Sequence, residues 1–82
     1  MIDLRAAKRE ILEWVANTMQ VEPGEVDLTK SLPELGIDSL DAVHLIATIE
    51  STIRKELPED VIQRVTCLND IFEMMAERVA AA

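Results

Sequence analysis

Apolar residues recur every three or four positions along several stretches of the chain, and Pro- or Gly-bearing breaks separate those stretches. That period predicts helices and not strands. Leu4, Ala7, Ile11, Val15 and Thr18 share one face of a helix expected from Asp3 to Met19. Asp3 is its N-cap, and Arg5, Lys8, Arg9, Glu10 and Glu13 form its wet side. Trp14 flanks the stripe, where it would cover the edge of a core. A second helix should open at Asp38 or Ser39 and end near Lys55, with Val43, Ile46, Ile49 and Ile53 inward and Ala42 and Leu45 alongside. Pro58 cannot continue a helix and disfavours helical geometry at Leu57, which sets that end. A short third helix is expected from Glu59 to about Arg64, with Val61 and Val65 inward. The last runs from Leu68 to Val79 and presents Leu68, Ile71, Phe72, Met75 and Val79. Thr66 or Cys67 would cap it, and Thr66 is the better choice because a thiol is a weak acceptor.

Between Val21 and Asp38 no period is sustained. Pro23, Gly24, Pro33 and Gly36 punctuate the segment, yet Val26, Leu28, Leu32, Leu35 and Ile37 are spread evenly through it. A loop longer than about 12–15 residues is uncommon in a compact domain unless it is functional or pinned. These apolar residues predict a pinned, ordered loop. The fold class is therefore all-α: a four-helix bundle with a long first loop and a short third helix.

Composition narrows this picture. The chain has 82 residues, enough for one domain (residues 1–82, with 78–82 expected to fray) and for burial of about 60–65% of the unfolded surface. Trp14 and Phe72 are the only aromatics, so strand formers are scarce and helix formers abundant. The formal charge is −8, and it is concentrated: residues 21–60 hold ten acids and three bases, whereas residues 1–20 are balanced. Such a field repels nucleic-acid phosphates and anionic lipid and attracts basic protein surfaces. One cysteine, Cys67, rules out an internal disulfide and fits a reducing, cytoplasmic setting. The charged N-terminus does not read as a signal peptide, and no apolar run approaches the ~20 residues of a membrane span. Met1 without a Pro- or Ala-rich flank is expected of a free-standing chain, taken to be a monomer.

The stretch with chemical potential is Leu35-Gly36-Ile37-Asp38-Ser39-Leu40-Asp41. Gly36 permits a sharp approach to the helix, Asp38 caps it, and Asp41 places negative charge where the helix dipole favours it. The Ser39 hydroxyl is then free at the start of a helix, where backbone N–H groups without partners receive a phosphate. The bland alternative is a serine in the first turn of a helix, which is commonplace.

Gly36-Ile37-Asp38-Ser39-Leu40-Asp41 resembles the phosphopantetheine attachment motif of the acyl carrier proteins. The likeness extends to an amphipathic first helix, a long apolar-studded loop, the break at Leu57-Pro58-Glu59 and the Val65-Thr66 pair before the last helix. The resemblance implies that Ser39, flanked by Asp38 and Leu40, bears 4'-phosphopantetheine taken from coenzyme A by a phosphopantetheinyl transferase. The thiol of that arm, not Cys67, would hold an acyl group as a thioester for fatty-acid, polyketide or specialised lipid synthesis. The chain itself would be no enzyme. Partner enzymes (acyl transferases, ketosynthases or ligases with basic docking patches) would read Leu40, Asp41, His44, Ala47, Glu50, Leu57 and Glu59.

Three features depart from the pattern of fatty-acid carriers: His44 and the Arg54-Lys55 pair stand where acids are usual, and Cys67 replaces a common Thr. Arg54-Lys55 has a sufficient explanation in the helix dipole. The sharper reading is that these bases and His44 redirect partner choice, which slightly favours polyketide or specialised lipid pathways. A peptidyl or D-alanyl carrier matches less well, because Ile37-Asp38 does not fit a Gly-Gly-x-Ser signature. A helical adaptor that carries nothing explains the bundle and the charge but not the motif at the loop–helix junction. One His and one Cys with no metal-ligand spacing supply neither a metal site nor a nucleophile–base pair.

Overall fold

A computed structural model describes residues 3–58 and 60–80. Among the described residues there are three long helices and one single-turn helix: α1 (Leu4–Met19), α2 (Ser39–Ile53), α3 (Val61–Arg64) and α4 (Leu68–Ala80). Two short 3-10 turns, Pro23–Glu25 and Pro33–Leu35, interrupt the long loop. Each opens on a proline whose fixed φ suits a first helical position. The all-helical class and the pinned loop are as the sequence predicts.

Local chemistry sets the ends of the helices. The Asp3 carboxylate accepts the N–H groups of Arg5 and Ala6 at 3.0 and 3.3 Å and starts α1. Gln20 ends it in the left-handed conformation (φ 62°), and the Val21 N–H reaches back to the Ala16 carbonyl at 2.9 Å. This is a Schellman-type closure made without glycine. Helix α2 stops at Ile53 because Arg54 is also left-handed (φ 58°), so the stop precedes Pro58 and does not depend on it. Helix α4 begins at Leu68, and Ile71 N–H donates to the Cys67 carbonyl at 3.2 Å. Cys67 thus occupies the cap position, which corrects the assignment to Thr66. The Thr66 N–H is instead taken up by the Asp70 carboxylate at 2.9 Å. Residues 78–80 are helical, and residues 81–82 of the expected frayed tail lie outside the described residues.

The core is one cluster drawn from α1, the long loop, α2 and α4. Ile11, Leu45, Ile49, Ile53, Leu68, Ile71 and Met75 are fully enclosed, each worth about 1.5–3 kcal/mol relative to exposure. Trp14 is half-buried at the edge, as expected, and Lys8 sits 5.9 Å above the Phe72 ring, joining α1 to α4. Two positions differ from the sequence reading. Thr18 is exposed and donates its hydroxyl to the Trp14 carbonyl at 2.9 Å, while Ala16 is buried. Val43 is 55% exposed, and the inner stripe of α2 is Ala42, Leu45, Ile49 and Ile53. Helix α2 is apolar on most sides, so spacing alone does not select the face that turns inward.

Val26, Leu32, Leu35 and Ile37 are buried and hold the loop across the bundle. Its polar groups are satisfied locally. Asp27 accepts both the Thr29 hydroxyl (2.6 Å) and the Thr29 N–H (2.9 Å), and Glu34 accepts both groups of Ser31 at 2.8 and 3.1 Å. These hydrogen bonds, the side-chain hydroxyl foremost, hold both carboxyls below the usual carboxylate range. Backbone bonds then stitch the loop to the α3–α4 connection: Leu32 N–H to the Thr66 carbonyl (3.1 Å) and Asn69 N–H to the Leu28 carbonyl (3.2 Å), beside a single antiparallel bridge between Ser31 and Cys67. This seam ends beside the start of α2.

Candidate functional site

Four residues set up the start of α2. Gly36 closes the second 3-10 turn with φ 84°, and a Cβ built there would meet nothing within 4 Å. Glycine is required by the backbone angle and not by space. Ile37 is 2% exposed, and its N–H donates to the Leu32 carbonyl at 3.0 Å. This anchor fixes the chain immediately before it leaves the core. Asp38 follows in extended geometry as the N-cap, its carboxylate accepting Asp41 N–H at 2.8 Å and its carbonyl accepting Ala42 N–H at 2.8 Å. Ser39 is the first helical residue.

Asp38, Ser39 and Leu40 are all exposed. The Ser39 hydroxyl has no hydrogen-bond partner among the described residues, and neither the Ser39 nor the Leu40 N–H finds an acceptor there. The cap therefore uses only the third N–H of the helix and leaves two donors beside a free hydroxyl. A phosphodiester on that oxygen would meet those donors and the positive end of the helix dipole.

An open groove of about 720 Å³ adjoins Ser39. Ile37, Ala42 and Val65 supply apolar walls, and Ser31 and Thr66 lie along the seam between the loop and the α3–α4 connection. The groove has the mixed character that a short amide-containing arm needs: apolar surface with polar groups at its margin.

The other residues singled out in the sequence divide into two sets. Leu40 (65% exposed), His44 and Ala47 lie in the open on α2, and Asp41 is half-buried. Val43, assigned inward from its spacing, joins this exposed face, so Leu40, Val43 and Ala47 form an apolar stripe at i, i+3 and i+7. The second set turns to structure. The Glu50 carboxylate accepts Leu57 N–H at 2.7 Å, bracing the connection after α2, and both residues are half-buried. Glu59 lies outside the described residues. No group of His, Cys, Asp and Glu among the described residues is placed to hold a metal ion, and no helix there is long and apolar enough to cross a membrane.

Comparison with known proteins gives consistent matches. A family model described as the phosphopantetheine attachment site matches residues 9–75. The acyl carrier protein of Phytoplasma mali (strain AT) is 33% identical over 72 residues, covering 87% of this chain and 86% of that protein. That of Thermosynechococcus vestitus is 34% identical over 77 residues, covering 88% and 95% respectively. That of Syntrophobacter fumaroxidans is 28% identical over 81 residues and spans 98% of this chain and all of its own length.

Proposed function

Since this chain belongs to the acyl carrier protein family, a carrier and not an enzyme, we propose that Ser39 is the residue that bears its 4'-phosphopantetheine arm. The observation that carries this assignment is the exposed, unpartnered Ser39 hydroxyl at the start of α2. In the transfer, the Ser39 oxygen would form a bond to the pantetheine-side phosphorus of the coenzyme A pyrophosphate. The phosphoanhydride bond breaks, 3',5'-ADP leaves, and the hydroxyl proton passes to a base on the transferase. Asp38 presents the serine by capping the helix, and Leu40 keeps apolar surface beside it. Once attached, the arm supplies a terminal thiol that holds an acyl group as a thioester. What the chain contributes is a tether that raises the local concentration of that group at each partner's active site.

The partner surface in this reading is the first half of α2: Asp38 and Asp41 with the exposed stripe of Leu40, Val43, His44 and Ala47. A basic patch on a transferase, ketosynthase, acyl transferase or ligase complements the two acids. Each exposed charge contact is worth about 0.2–1 kcal/mol, so engagement is weak and salt-sensitive, as a shuttle requires. Glu50 gives one carboxylate oxygen to the Leu57 N–H, so its part in docking falls to the other oxygen. The 82 residues act as one carrier domain, supported by the single core cluster, and serve fatty-acid, polyketide or specialised lipid synthesis. A cytoplasmic setting is supported by the free, half-buried Cys67 thiol.

Intact-mass measurement after incubation with coenzyme A and a broad-specificity phosphopantetheinyl transferase tests the assignment. The chain should gain one phosphopantetheine, Ser31→Ala should gain one as well, and Ser39→Ala none. Modification that survives Ser39→Ala refutes it.

A further inference from the structure

A second open groove, of about 670 Å³, lies between α1 and α2 and shares no lining residue with the groove beside Ser39. Its α1 wall holds Glu10, Glu13 and Trp14, and its α2 wall includes Ala47, Thr48 and Thr52. The hydroxyls of Thr48 and Thr52 donate to the carbonyls of His44 and Thr48, each at 2.8 Å. Their single protons are thus consumed within the helix, and the oxygens have only lone pairs left for anything in the groove. Glu10 and Glu13 have no hydrogen-bond or ion-pair partner among the described residues. Asn17 and Ser51 complete the lining and can both donate and accept; the walls otherwise offer acceptors, carry two unneutralised charges and include the chain's only tryptophan.

This combination selects a planar, multiply donating cation. A guanidinium offers five N–H donors in a fixed fork and stacks on an indole face, whereas an ammonium is a compact and strongly hydrated point charge. Ala47 belongs both to this groove and to the exposed α2 stripe, so a protein engaging the stripe extends into the groove without a gap. We propose that the α1–α2 groove is a second docking surface, occupied by an arginine-bearing segment of a partner protein with a guanidinium over Trp14 between Glu10 and Glu13. The surface is separate from the Ser39 attachment site and does not require the arm.

The sole tryptophan provides the readout. Full-length Ser39→Ala protein, which cannot be loaded at that position, is titrated with a short helical peptide carrying two arginines one turn apart, and with the same peptide carrying lysines. The arginine peptide should shift Trp14 emission saturably and bind several-fold more tightly than the lysine peptide. Glu10→Gln/Glu13→Gln should weaken it about three- to tenfold, and Glu73→Gln/Glu77→Gln, with the same net charge on α4, should leave it unchanged. Trp14→Phe, followed by calorimetry, should also weaken it; the glutamine variants decide the question if that protein does not fold. Equal binding of the two peptides, or equal weakening by the α4 variant, overturns the proposal. Phosphopantetheine loading of the Ser39 protein is measured separately, so failure of one assignment is distinguishable from failure of the other.

Discussion

Asp38 stands next to the serine proposed to bear the arm and has two separable physical roles, which a pair of substitutions can divide. Its carboxylate accepts the Asp41 N–H at 2.8 Å, and its charge lies at the positive end of α2. Loss of an N-cap acceptor costs about 0.5–2 kcal/mol, typically near 1, and the charge at the dipole adds about 0.3–1 kcal/mol. Asp38→Ala removes both and should cost about 1.5 kcal/mol. Asp38→Asn keeps a good cap and removes only the charge, and should cost about 0.5 kcal/mol. For a chain of 82 residues, an unfolding entropy near 2.1 cal/mol/K per residue converts each kcal/mol into a Tm change of about 6 °C. Thermal denaturation followed by circular dichroism should then give falls of about 9 °C for Ala and 3 °C for Asn. The rate of Ser39 loading separates the roles further. If α2 must be wound through Ser39 to present its hydroxyl, Asp38→Ala slows loading at every ionic strength, while the deficit of Asp38→Asn shrinks as salt screens the lost charge. Equal Tm losses for the two variants, or an alanine variant as stable as the parent, would refute the capping argument.

The exposed position of Val43 predicts that Val43→Ala changes stability by less than about 0.5 kcal/mol, whereas Ile49→Ala, at a fully enclosed site on the same helix, costs about 2–5 kcal/mol; urea denaturation of both variants checks this, and a large loss for Val43→Ala would return that residue to the core. Asp27 and Glu34 are held below the usual carboxylate range by hydrogen bonds, so they stabilise the fold above the unfolded-state pKa and lose that contribution as pH falls through the folded-state value. Asp27→Asn/Glu34→Gln should therefore lower Tm at pH 7, and the gap should close as pH falls through the lowered folded-state pKa values; a gap that does not narrow in acid would falsify the linkage.

Helix α1 was legible because its sequence is strongly one-sided, with charge on one face and Ala7, Ile11 and Val15 on the other. Helix α2 was harder to orient. Leu40, Val43 and Ala47 are apolar on the side away from Leu45 and Ile49, so two stripes compete, and only packing against α1 and α4 selects one. The stripe that packing leaves outside is the one proposed above as the partner surface, and the misread residue, Val43, belongs to it. The two left-handed helix ends, Gln20 and Arg54, lack the glycine that would have marked them. Glu50 looked like a surface acid because the N–H it satisfies belongs to Leu57, seven residues on, beyond the reach of any helical spacing rule.

These details bear on where the negative charge is available to partners. Of the ten acids between residues 21 and 60, Asp27 and Glu34 are engaged in the loop and Glu50 in the connection after α2. Asp38 keeps one carboxylate oxygen clear of the cap bond, and Asp41 lies in the same first turn. Between that turn and Arg54 the exposed stripe of α2 (Leu40, Val43, His44, Ala47 and Ser51) contains no acid. Beyond the first turn the one acid of α2 is Glu50, half-buried and with one carboxylate oxygen given to Leu57. In the proposed docking mode, the charge that attracts a basic surface over distance is thus broadly spread, while the charge that would fix its register is local to Ser39. Encounter and orientation are then governed by different acids, and a charge reversal at Asp41 should disturb the second far more than the first.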